Sequence, residues 1–130
     1  MRIFRTSLIE GARSARGTAV IIDVYRAFTC APLLFYLGAR RAILVSTPEE
    51  AFELKEKDPG LLLIGEIGGV PIEGFDFGNS PSQILSQAPS TFNNKTVVQR
   101  TSSGVQGALA AINVADEVLL GSYALGGAIA

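Results

Sequence analysis

The sequence predicts a three-layer α/β/α domain built around a mostly parallel sheet, and three observations predict it. Short apolar runs recur along the chain at Ala19–Val24, Ala42–Ser46, Leu61–Gly65, Thr96–Gln99 and Val118–Gly121. Continuous runs of this kind, bounded by turn signals, suit strands buried on both faces, as in a parallel sheet. Helix-start signals fall between the runs and the links are short, which implies right-handed strand–helix–strand crossovers. At 130 residues the chain has the size of one domain, so residues 1–130 are expected to form a single α/β unit.

In chain order, Arg2–Ile9 alternates loosely and reads as an edge strand. Ala19–Val24 is the first buried strand. Cys30–Leu37 is expected to be helical, with Pro32 in its first turn and Gly38 as its stop. After the strand Ala42–Ser46, Thr47-Pro48-Glu49-Glu50 has the form of a capping box with proline at the first helical position, and Ala51, Phe52, Leu54 and Lys55 follow at helical spacing. Pro59-Gly60 ends that helix. Beyond Leu61–Gly65 lies a long irregular stretch, Glu66–Ser80, with glycines at 68, 69, 74 and 78; loops of that length in a compact domain are usually functional. Ser80-Pro81-Ser82-Gln83 repeats the helix-start grammar. Thr96–Gln99 leads through Ser103-Gly104-Val105-Gln106 into a helix over Val105–Ile112. After Val118–Gly121, Tyr123–Ala130 opens another helix. An apolar terminus of this kind suits a homo-oligomer contact or the interior of a larger fold.

Composition narrows the chemistry. The chain has no histidine and one cysteine, which excludes His-based triads, imidazole acid–base pairs, thiolate metal sites and an intramolecular disulfide. A bound metal must be held by oxygen, which points to Mg²⁺, Mn²⁺ or Ca²⁺. Eleven basic against 12 acidic residues give a net charge of −1 and no footprint for nucleic acid or an anionic membrane. Met1–Gly17 lacks an apolar stretch of signal-peptide length, and Val118–Ala130 is too short to span a bilayer. With its single unpaired cysteine the chain is expected to be a soluble, cytoplasmic protein.

In an open α/β sheet, ligands bind beyond the carboxyl ends of the strands. Asp23 and Arg26, Glu66, Arg100 to Gly104, and Ser122 fall there. Arg100-Thr101-Ser102-Ser103-Gly104 runs from a strand into a helix start, where backbone N–H groups and hydroxyls suit a phosphate; helix capping alone accounts for the same residues. Asp23 reads as a metal ligand or acid–base group, or as an ion-pair partner of Arg26. Glu66 reads as a metal ligand or as an acceptor for the glycine-rich loop. Within Gly74-Phe75-Asp76-Phe77-Gly78-Asn79-Ser80-Pro81, Asp76 and Asn79 offer oxygen ligands, while a structured loop with Ser80 as helix cap is the other reading. Cys30 reads as a small buried residue rather than a nucleophile, since no histidine is present to activate it.

Asp23-Val24-Tyr25-Arg26-Ala27-Phe28-Thr29, Gly65-Glu66, Gly74-Phe75-Asp76-Phe77-Gly78-Asn79-Ser80-Pro81 and Thr101-Ser102-Ser103-Gly104, in this order, resemble motifs of the 2-phosphosulfolactate phosphatase family. The segment from Gly74 to Pro81 is the specific one, and the likeness is to the family's N-terminal portion. The resemblance implies a Mg²⁺-dependent phosphatase that converts 2-phospho-3-sulfolactate to 3-sulfolactate and phosphate, known from coenzyme M biosynthesis. Asp23, Glu66 and Asp76 would form the metal site, supported by Asn79. Arg26, Arg100 and the Thr101, Ser102, Ser103, Gly104 turn would hold the phosphoryl oxygens, with Asp23, Arg26 and Glu66 at the chemistry. The competing expectation is a non-catalytic anion-binding or interaction domain.

Overall fold

The computed structural model describes residues 2–129. The chain runs through α1 (Leu8–Arg13), β1 (Thr18–Ile22), α2 (Ala27–Tyr36), β2 (Arg41–Leu44), α3 (Pro48–Lys57), β3 (Leu62–Ile67), β4 (Val70–Pro71), α4 (Pro81–Leu85), β5 (Thr96–Arg100), α5 (Gly104–Ile112), β6 (Glu117–Gly121) and α6 (Gly126–Ile129). Short 3₁₀ turns at Pro89–Thr91 and Tyr123–Leu125 complete the set.

Four strands form one sheet in the order β2-β5-β3-β4, with β2, β5 and β3 parallel and β4 an antiparallel edge. Register explains how the sequence builds layers here. Leu62 lies opposite Val97, and with Ile64 they pack beneath Cys30 and Leu34 of α2, Ile84 of α4 and Phe92. One residue on, Leu63 and Ile43 flank Val98, and this row packs on Ala51, Phe52 and Leu54 of α3. Apolar side chains on both faces of the same strands explain why these runs read as continuous rather than alternating.

The remaining strands, β1 and β6, form a separate parallel ribbon in the register Val20↔Leu119 and Ile21↔Leu120. Ile21 and Leu120 pack against Ala27 and Phe28 of α2 and Ala108 of α5. The opposite face carries Val20 and Ile22, both exposed.

The capping grammar is realised with small shifts. Thr47 Oγ1 accepts the Glu50 N–H at 3.3 Å, and Ser80 Oγ accepts the Gln83 N–H at 3.4 Å. The Glu50 carboxylate reaches back to the N–H and hydroxyl of Ser46, at 3.0 and 2.7 Å, one residue earlier than a capping box requires.

Two expected elements differ. The edge strand expected over Arg2–Ile9 is absent: residues 2–7 carry no regular structure and Leu8 opens a helix. A strand needs a neighbour for its N–H and C=O groups, and no described strand pairs with this segment. One helical turn satisfies the backbone locally, as in the bond from the Gly11 N–H to the Ser7 carbonyl. The helix expected over Cys30–Leu37 begins at Ala27, which puts Pro32 in its interior rather than its first turn. Pro32 has no N–H to offer the preceding turn, but burial of Ala27, Phe28, Cys30, Ala31 and Leu34 offsets that loss. The helix expected from Tyr123 opens as a 3₁₀ turn over Tyr123–Leu125 and becomes α-helical at Gly126; Ala130, its last predicted residue, and Met1 lie outside the described residues. No helix among the described residues is long and apolar enough to cross a membrane.

Candidate functional site

The carboxyl ends of β1, β3 and β5 converge on a cavity of about 240 Å³. Asp23 and Arg26 reach it from the link after β1, Glu66 from the end of β3, and Thr101, Ser102 and Ser103 from the link between β5 and α5. Asn79 enters from the loop before α4, while Tyr25, Gly68 and Gly69 complete the lining. Residues more than 70 positions apart in sequence meet here because parallel strands present their ends on one edge of the domain.

One wall is closed by its own hydrogen bonds. Gly68 and Gly69 connect β3 to β4 with φ of 57° and 87°, the two positive values that a two-residue primed hairpin turn requires. That turn aims the Gly69 N–H at Glu66 Oε2, 2.6 Å away. Glu66 Oε1 accepts the Ser102 N–H at 2.7 Å, and the Ser102 hydroxyl donates to Oε2 at 3.3 Å. The Gly68 N–H in turn donates to Ser102 Oγ at 2.8 Å. Burial by itself would raise the Glu66 pKa. The N–H groups of Ser102 and Gly69, the Ser102 hydroxyl and the charge of Arg100 together outweigh it and hold the carboxyl below its ordinary value.

The other wall holds unpaired acceptors. Asp23 and Asn79 are 8% and 5% exposed, and the Oδ1 atom of each is buried without a hydrogen-bond partner among the described residues. A buried acceptor in this state is costly unless something satisfies it. Asp23 also sits directly against the start of α5: a Cβ at Gly104 would lie 2.6 Å from Asp23 Oδ2. Gly104 therefore serves by its lack of a side chain, which lets the carboxylate approach the positive end of the helix. Thr101 Oγ1 caps the helix by accepting the Val105 N–H at 3.2 Å. The N–H groups at a helix start have no acceptor within the helix, and of the residues there Ser103 lines the cavity. Arg26 lines the same space, and among the described residues its guanidinium forms no salt bridge. The ion pair with Asp23 is thus not formed.

Other expected site residues lie elsewhere. Asp76 Oδ2 accepts the Leu63 N–H at 2.7 Å and pairs with Lys55 at 2.6 Å, so it braces its loop against β3 and α3 and does not line the cavity. Arg100 donates from Nη1 to the Glu66 carbonyl at 2.8 Å and from Nε to the Ser46 carbonyl at 3.2 Å. Its role is to brace the wall behind Glu66. Cys30 is fully buried, and burial first of all, with Asp23 adding to it against the lowering effect of Arg26, pushes its thiol up to about 12. It is inert. Ser122 is buried beyond β6, its hydroxyl without a partner.

Sequence reasoning missed Gln99, which is fully buried and donates from Nε2 to the Ala27 carbonyl at 3.2 Å. A polar residue at the end of an apolar strand run was its only signal. It also missed the Gly68-Gly69 turn, which a glycine pair soon after an apolar run signals.

These residues also decide how a divalent cation would be held. Among the described residues no three Asp, Glu, Cys or His side chains come together as a metal-binding group, so the trio Asp23, Glu66 and Asp76 is not assembled. The two unsatisfied oxygens of Asp23 and Asn79 are hard donors beside one cavity. That set fits Mg²⁺, which binds through one or two carboxylates and leaves its remaining positions to water and phosphate oxygen.

Fold and site together define an α/β protein with a polar cavity at the carboxyl ends of its parallel strands. The chain belongs to the 2-phosphosulpholactate phosphatase family, whose model matches residues 3–130. Proteins named "probable 2-phosphosulfolactate phosphatase" are similar to it. That of Bacillus subtilis (strain 168) is 45% identical over 94 residues, covering 72% of this chain and 40% of the relative. That of Deinococcus radiodurans is 38% identical over 112 residues, covering 86% and 45%. That of Clostridium acetobutylicum is 36% identical over 123 residues, covering 94% and 51%. The chain thus spans about half the length of the curated relatives it matches.

Proposed function

We propose that this chain carries the phosphoryl site of a Mg²⁺-dependent phosphatase that hydrolyses a small phosphomonoester of the 2-phosphosulfolactate type. The observation that carries the reading is Asp23: a nearly buried carboxylate, one oxygen unsatisfied, held against the start of α5 beside the unpaired Arg26. A phosphoryl group seated at the same helix end would repel Asp23, and a cation between them removes that conflict. Asp23 and Asn79 would hold the Mg²⁺, which when bound polarises a phosphoryl oxygen and offsets charge in the transition state.

The protein's own groups account for the rest. The N–H group at Ser103 and the Arg26 guanidinium bind phosphoryl oxygens and stabilise charge that develops on them. The Asp23 oxygen left free of the cation accepts a hydrogen bond from the attacking water and orients it toward phosphorus. As the new P–O bond forms and the ester P–O bond breaks, the water's proton passes to that oxygen and then to the departing alkoxide. The buried Cys30 thiol is in keeping with a reducing, cytoplasmic setting.

The test is release of inorganic phosphate from 2-phosphosulfolactate and from simple phosphomonoesters, with Mg²⁺ and with EDTA. Release that requires Mg²⁺ is the expected result. A folded sample that binds phosphate but releases none under either condition is an anion-binding domain instead, which the start of α5 alone would support.

A further inference from the structure

We propose that Glu66 is a positioning residue of the phosphoryl site, which ties the Gly68-Gly69 turn to Ser102, and that it is not a metal ligand. The inference rests on the reading of the cavity as a phosphoryl site and deepens it. Glu66 is an acid at the carboxyl end of a central strand, where a metal ligand or a base would stand. Its two oxygens, however, already accept the N–H groups of Ser102 and Gly69 at 2.7 and 2.6 Å, and Ser102 adds its hydroxyl to Oε2.

A carboxylate engaged in this way has its charge directed into backbone donors rather than into the cavity. Asp23 makes the contrast, since its Oδ1 is buried and has no partner. The bonds of Glu66 also cross between elements. Gly69 belongs to the turn after β3, and Ser102 to the link that delivers the start of α5. Ser102 closes the loop by accepting the Gly68 N–H at 2.8 Å, and Arg100 holds the Glu66 carbonyl at 2.8 Å. Both tied segments line the cavity. The clamp therefore sets the distance between the glycine turn and the N–H group at Ser103. Displacements of about 1 Å in such groups are enough to lose much of their effect on a bound anion.

The experiment compares the full chain with its Glu66→Gln variant. An amide places an NH₂ group where one of the two N–H donors now finds an oxygen, so one side of the clamp must open. Three quantities are measured: hydrogen exchange at the Gly69 and Ser102 amides by NMR, the Kd for inorganic phosphate, and the Kd for Mn²⁺ used in place of Mg²⁺. Exchange at the amide that loses its oxygen is expected to rise about tenfold or more, and the phosphate Kd to rise about tenfold, the scale of one lost charged hydrogen bond. The Mn²⁺ Kd is expected to stay within about twofold.

A Mn²⁺ Kd raised about tenfold or more, with the two amides still protected, would overturn the assignment. If the full chain binds neither phosphate nor Mn²⁺, the functional reading fails, and the two amides still decide the clamp. Should the variant not fold, the unaltered chain decides it instead. The Gly69 and Ser102 amide proton shifts must then follow the Glu66 ionisation together as pH is lowered, and shifts that stay flat through it overturn the proposal.

Discussion

On one side of the cavity Glu66, Ser102, Gly68, Gly69 and Arg100 satisfy one another; on the other, Asp23 and Asn79 each hold a buried oxygen that nothing among the described residues satisfies. Both walls contain an acid at a strand end, and the sequence presents the two acids alike. What separates them is their neighbours. Glu66 lies where a hairpin turn and a helix link point N–H groups at it. Asp23 lies where Gly104 removes a side chain and leaves it an open approach to the helix end. An acidic residue at a catalytic-looking position thus becomes structure or chemistry according to how many of its lone pairs are already taken.

The largest effect expected from breaking this contrast is at Asp23. Asp23→Asn keeps the shape of the open wall but removes its charge. It should lower metal-dependent phosphate release about 10³-fold, in the range of lost catalytic carboxylates. Because no protein donor depends on Oδ1, the thermal midpoint should fall little or rise. Wild-type turnover in that variant would remove Asp23 from the chemistry.

Gly104→Ala comes next and tests the close approach itself. Its Cβ would lie 2.6 Å from Asp23 Oδ2 and 3.0 Å from the Ala27 Cβ. Either Asp23 or the start of α5 must move, so a loss of about 10²-fold in turnover is expected. The accompanying loss of stability is about 1–3 kcal/mol, as in other overpacked sites, and urea unfolding measures it. Unchanged turnover would mean that Asp23 need not abut the helix.

The smallest effect is on the closed wall and appears as pH dependence. The Glu66 carboxyl has its pKa lowered in the folded chain. Its contribution is therefore complete above the ordinary glutamate range and is lost as pH falls through the depressed folded value. Acid should lower the melting temperature more steeply in the unaltered chain than in Glu66→Gln, by an amount on the order of 1 kcal/mol between neutral and strongly acidic pH. Parallel melting curves across pH would show that the clamp carries no linked stability.

Much of the fold was legible in the sequence because the strands are apolar on both faces and the helix starts carry their own caps. Thr47 and Ser80 accept the N–H groups that their spacing predicts. Reading failed where a local pattern needed a partner that the fold does not supply. The loose alternation of Arg2–Ile9 has no sheet edge beside it, and the start of α2 follows the burial of Ala27 and Phe28 rather than the position of Pro32. At the site, the strand-end rule gathered Asp23, Arg26, Glu66 and the Thr101–Ser103 turn, which line one cavity. It also attracted Arg100, which spends its charge on a pair of carbonyls, and the Gly74–Pro81 loop offered Asp76, which pairs with Lys55.

The sequence by itself determined the class of fold, the limit to oxygen chemistry set by the missing histidine, and the edge of the sheet where a ligand would sit. These follow from composition and periodicity, which are local properties. Only the tertiary structure decided which acids are free. Hydrogen-bond satisfaction at Glu66, Asp76 and Asp23 depends on donors up to 36 positions away in sequence and on the space that Gly104 leaves, and no pattern along the chain encodes those distances.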